Sequence, residues 1–106
     1  MKKYTVYRAD GPVDRNLDTH VLIAIEYGED IDAAADDILR AVMTDLSEAP
    51  QYAGCEVTAS PPELRVYART MRYEYYVTGI VAPPNASENI LVDYGVKEQE
   101  MDGAIQ

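Results

Sequence analysis

The densest set of chemically capable side chains is an acidic run, Glu29, Asp30, Asp32, Asp36 and Asp37, within GEDIDAAADDILRAVMTDL. Carboxylates this close together can hold a divalent cation, divide acid and base roles, or attract a basic partner. A calcium loop needs oxygen ligands at alternating positions, a glycine at its sharp turn and a closing glutamate. Ala34 and Ala35 stand where a ligand and that glycine belong, so no metal site is expected. Nothing in the spacing singles out two carboxylates as an acid/base pair. His20 is the only histidine and Cys55 the only cysteine. They supply neither a Cys/His metal set nor, lacking a third orienting group, a nucleophile–base pair. There is no GxGxxG, Walker loop or GxSxG. The sequence therefore predicts a protein that is not an enzyme, with no catalytic residue and no cofactor.

A second set is basic and aromatic. Arg65, Arg69 and Arg72 interleave with Tyr67, Tyr73, Tyr75 and Tyr76. Arginine and tyrosine are enriched at protein interfaces, so this set is a candidate second interface. The same interleaving can stack bases and pair phosphates. Arginine stems covering a half-buried tyrosine sheet would give the same pattern with no ligand at all.

The acidic run must be positioned by a helix. Ile31, Ala35, Ile38, Val42 and Leu46 recur at steps of four, three, four and four, with Ala34 and Leu39 beside them, which is one face of an α-helix. Asp30 suits the N-cap, and the acidic residues near the start suit the positive end of the helix dipole. Pro50 marks the end. At about 100° per residue, Glu29, Asp32, Asp36 and Asp37 spread over the side opposite the apolar stripe. Only Arg40 answers them.

The remaining elements read as strands. Lys3 to Ala9 and Thr19 to Tyr27 are rich in strand-forming residues, separated by a polar loop through Asp10-Gly11-Pro12 to Asp18. The second strand has an apolar middle on both faces: Val21, Ile23, Ile25 and Tyr27 on one, His20, Leu22, Ala24 and Glu26 on the other. That pattern predicts an interior strand. Cys55 to Ala59 is a short strand. Ser60-Pro61-Pro62-Glu63 suits either a turn between strands or a capping box opening a helix, so residues 61–72 are strand or helix, with composition favouring strand. Tyr73 to Ala82 and Glu88 to Val96 form an antiparallel hairpin, with Gly79 and Gly95 as bulges or points of close approach. The globular part spans residues 1–96, and Lys97 to Gln106 reads as a frayed acidic tail. The expected fold class is α+β: a mainly antiparallel sheet of four to six strands, in the order β-β-α-β-(β or α)-β-β, with one acidic amphipathic helix on one face.

A chain of 106 residues carrying a net charge of −10 is one strongly acidic domain. Residues 26–48 hold one basic and eight acidic groups, a net of −7, while residues 49–84 are neutral. Such a balance opposes direct binding to nucleic acid, whose readers carry basic surfaces. It favours solubility and attraction to a basic protein. No apolar run approaches the length of about 20 residues that spans a bilayer, no signal-peptide pattern opens the chain, and a lone cysteine suits the cytosol. A cytoplasmic protein without membrane contact is expected.

In size and acidity, through the run GEDIDAAADD, the chain resembles the small inhibitor proteins of phages and mobile elements, anti-CRISPR proteins among them. The resemblance is one of general character and carries no residue roles. It implies a nucleic-acid mimic that inhibits by occupying a basic, nucleic-acid-binding surface; the charge distribution itself points to Glu29, Asp32, Asp36 and Asp37 as the contacting face. A structural protein forming homo-oligomers through the edge of the tyrosine-rich strand is the other expectation.

Overall fold

Alternation of apolar side chains along each strand obliges the sheet to bury one face, and the long amphipathic stretch supplies the cover. A computed structural model, which describes residues 1–9, 20–64 and 73–101, shows how. Six strands, β1 (Lys2–Ala9), β2 (His20–Gly28), β3 (Glu56–Ala59), β4 (Glu63–Leu64), β5 (Tyr75–Ala82) and β6 (Ile90–Glu100), form one antiparallel sheet. The order across it is β2-β1-β6-β5-β3, with β4 also pairing β5. Among the described residues the one α-helix, α1 (Ile31–Glu48), lies between β2 and β3 in the chain. The α+β class, the antiparallel sheet and the β5–β6 hairpin are as the sequence predicts.

The start of α1 is fixed by Asp30, whose side chain accepts the Ala33 N–H at 2.8 Å. Its end comes at Ala49, extended before Pro50, which opens a single 3-10 turn. Ala34, Ile38, Val42 and Leu46 are the fully covered positions; Ala35 sits to their side, half-buried. They pack on Tyr4, Val6, Val77, Val81, Tyr94 and Val96 from the three central strands β1, β6 and β5. Burial of side chains the size of Ile38, Val42 and Leu46 contributes about 1.5–3 kcal/mol each. Gly79 makes the approach close: a Cβ there would stand 2.6 Å from Leu46 Cδ1.

The other face carries a tyrosine cluster. Tyr7, Gly95 and Tyr76 are aligned across β1, β6 and β5. The ring of Tyr73 lies over Gly95, where any Cβ would collide with it. It meets Tyr7 at 5.5 Å and, edge to face, Tyr76 at 5.9 Å. Gly79 and Gly95 are thus points of close approach, and the β5–β6 register runs through both without a shift.

Several expectations are corrected. β2 is an edge strand of the described sheet, not an interior one; its apolar residues are shared between the core and an exposed face. A register shift opposite Val6 and Tyr7 also breaks its simple alternation. Ala24 and Glu26 pair with Val6 and Tyr4 on the helix side, while Leu22, Ile25 and Tyr27 pair with Tyr7, Thr5 and Lys3 on the other. The chain beyond Val96 does not leave the sheet: Lys97 to Glu100 continue β6 and pair with Thr5 to Lys2. β5 is no edge, because β6 takes one side and β3 and β4 the other, with Ser60 bonded to Thr78 between them. Assembly through an edge of the tyrosine-rich strand therefore loses its basis. Strand pairing at Glu63–Leu64 follows the strand reading there; residues 65–72, the Asp10 to Asp18 loop and residues 102–106 lie outside the described residues.

Gly95→Ala is expected to displace the Tyr73 ring and destabilise the fold by about 1–3 kcal/mol, the usual range for overpacking. Urea denaturation followed by near-ultraviolet circular dichroism checks this, and an unchanged midpoint would contradict the packing described.

Candidate functional site

The four predicted acidic residues are all exposed, around the first half of α1. Glu29 precedes α1, is 76% exposed, and lies 3.5 Å from the N-terminal amine of Met1. Asp32 and Asp36 sit one turn apart on the exposed surface of the helix. Asp37, a further turn of about 100° around the axis, points toward β2 and accepts from Arg40 at 2.9 Å. Of the basic-aromatic set, Arg65, Tyr67, Arg69 and Arg72 lie outside the described residues. Tyr73 and Tyr75 fall on opposite faces of the sheet: Tyr73 over Gly95, Tyr75 on the helix side against Tyr4.

What the structure does assemble is a cleft of about 350 Å³ between α1 and β2. Ile23 and Ala41 supply apolar wall, and Glu26, Asp37, Asp45 and Glu48 set four carboxylates against the single guanidinium of Arg40. Burial, then the charge of Asp37, pushes the Glu26 carboxyl above its ordinary range, with Arg40 opposing. A smaller cleft of about 310 Å³ at the C-terminal end of α1 is lined by Arg8, Leu46, Pro50, Tyr52 and Val92, and it shares Asp45 with the first.

Asp45 is the anchor between the two. Its carboxylate accepts from Arg8 Nη1 at 2.9 and 3.0 Å and from the Tyr94 hydroxyl at 2.6 Å. Burial and this bond push the Tyr94 phenol well above the usual tyrosine range. A second anchor lies under the start of α1. Glu98 accepts from the Tyr4 hydroxyl at 2.8 Å and the Tyr75 hydroxyl at 3.4 Å, with Lys2 at 3.8 Å. Burial and Glu98 raise both phenols.

Glu26, Asp45 and Glu48 were not singled out by the sequence. Asp45 did carry a signal: it follows Ile38 by seven residues and so shares the dry side of the helix, where a charge needs partners. Arg8 and Tyr94 as those partners are set by strand pairing alone. Cys55 is a free thiol packed against the core; the side chain of His20 lies outside the description. Among the described residues no three His, Cys, Asp or Glu are placed to hold a metal ion, and no helix is long and apolar enough to cross a membrane.

The fold and cleft define an acidic α+β domain. No protein-family model, curated protein or solved structure matches the chain.

Two titrations follow. The folded state holds the Tyr94 proton more tightly than an unfolded tyrosine, of pKa about 10, so that stability is complete below pH ~10 and is lost as pH rises beyond it. Tyr94→Phe should lower stability by about 1 kcal/mol at neutral pH and flatten the alkaline loss, both read from urea midpoints. Glu26 is likewise raised, so its charged form is a liability at neutral pH. Glu26→Gln should raise the melting temperature at pH 7, the gain fading below pH ~4, where an ordinary glutamate is itself protonated.

Proposed function

We propose that this chain is a non-enzymatic binding module that places its acidic helix against a basic surface of a partner protein, one that otherwise binds nucleic acid. The observation that carries the reading is the excess negative charge around α1, which the pairing of Asp45 with Arg8 and of Glu29 with the Met1 amine offsets only in part. The segment from Glu26 to Glu48 has a net charge of −7, and its one arginine is already bonded to Asp37. Asp32 and Asp36 face outward, while Glu26 and Glu48 extend the field into the β2 cleft. Carboxylates spaced along a helix can occupy guanidinium and ammonium groups that would otherwise neutralise phosphates. The negative field also speeds encounter with such a surface and weakens as salt rises. Inhibition by occupancy, in the manner of small phage-type inhibitors, is the outcome this chemistry favours.

The test compares the wild type with the variant Glu29→Gln/Asp32→Asn/Asp36→Asn/Asp37→Asn. Each is immobilised, lysate is passed over it at low and high salt, and retained proteins are identified by mass spectrometry. A nucleic-acid-binding protein should be retained at low salt by the wild type, shed at high salt, and displaced by added duplex DNA. The variant should bind it about tenfold or more weakly, since exposed pairs are worth up to about 1 kcal/mol each. Equal retention by a variant of unchanged circular dichroism would refute the reading.

A further inference from the structure

The β2 edge has the chemistry of a strand-docking site. In the described sheet, β2 is paired on one side only, by β1. Free backbone N–H and C=O groups on such an edge are a template for another extended chain. Protein edges are commonly protected by lysine, proline or a bulge. Here the strand HVLIAIEYG has neither lysine nor proline. Its one irregularity, the register shift near Ile23, leaves Ala24 to Gly28 regular.

The two sides of that stretch differ in chemistry. Ile25 and Tyr27 project from the face away from the helix, 42% and 50% exposed. Leu22, brought to the same side by the register shift, is 52% exposed. On the helix side, Glu26 opens into the cleft with Asp37, Asp45 and Glu48. A strand laid along this edge directs alternate side chains to opposite faces. One set would meet an apolar row and the other a row of carboxylates.

We propose that the Ala24–Gly28 edge of β2 receives an extended partner segment of alternating basic and apolar residues, as an added strand of the sheet. Its basic side chains enter the α1–β2 cleft, and its apolar ones cover Ile25 and Tyr27. This rests on the acidic-module reading above and gives it a binding mode. Charge complementarity selects the occupant. A second copy of this chain, paired antiparallel through β2, would be related by a twofold axis perpendicular to the sheet. That axis sets both clefts on one side, with the carboxylates of each facing their own counterparts, and like charges so placed repel.

The probe is a short synthetic peptide of alternating lysine and valine, with two derivatives N-methylated on one or the other alternate set of amides. N-methylation removes ladder hydrogen bonds and leaves charge unchanged. Binding to the wild-type protein at low salt is followed by fluorescence anisotropy, and amide exchange by NMR. One derivative should bind about 30-fold or more weakly, from two to three lost hydrogen bonds, while the other stays within about threefold. Exchange at Ala24 to Gly28 should slow when the parent peptide binds. Equal binding by all three peptides would overturn strand addition and leave the acidic-module reading in place. No binding of the parent peptide at low salt would overturn both. Exchange protection of Ala24 to Gly28 that grows with protein concentration in the absence of peptide would assign the edge to a second copy and likewise overturn the proposal.

Discussion

The architecture depends on one helix covering a sheet wider than itself. A helix with its side chains is about 10–12 Å across, whereas strands lie about 4.8 Å apart. The dry stripe Ala34, Ile38, Val42 and Leu46 packs with Tyr4, Val6, Val77, Val81, Tyr94 and Val96, and Ile23 and Ala24 of β2 and Val57 and Ala59 of β3 are half-buried against this core. Gly79 lets that packing form by admitting Leu46 where a side chain would stand. The margin between α1 and β2 forms the cleft, lined mainly by polar side chains.

That margin explains why the negative charge is not uniform in kind. Carboxylates over the covered sheet are bound into the fold: Asp45 to Arg8 and Tyr94, Glu98 to Tyr4 and Tyr75. Asp45 ties the C-terminal half of α1 to β1 and β6, and Glu98 ties β6 to β1 and β5. Carboxylates at the margin or on the outer surface, Glu26, Asp32, Asp36 and Glu48, make no such bond among the described residues. The division between structural and available charge thus tracks distance from the packed stripe.

The opposite face is organised by a different constraint. Among the described residues no helix covers it, and its centre is filled by the Tyr73 ring lying in the gap that Gly95 leaves between Tyr7 and Tyr76. Tyrosine suits this position because its ring packs while its hydroxyl remains able to find a polar partner. Away from that cluster Ile25, Tyr27 and Leu91 are exposed on this face.

Local pattern was enough to read α1, its Asp30 cap, the strands and the β5–β6 hairpin, because 3.6- and two-residue periodicities are properties of neighbouring residues. The same reasoning found Gly79 and Gly95 as close approaches. It misplaced β2 in the sheet and released residues beyond Val96 as a tail, because strand order is decided by partners far away in sequence. Pairing of Lys2 with Glu100 joins the two ends of the described chain and leaves β2 outside. The acidic run was legible, but its division was not. Asp37 belongs with Glu26, Asp45 and Glu48 only because α1 lies against β2, and Asp45 finds Arg8 and Tyr94 only because β1 and β6 are adjacent. The sequence by itself determined the elements and the sign of the charge. The tertiary structure decided which carboxylates are spent on the core and which face outward, since that depends on packing between residues the periodicity cannot bring together.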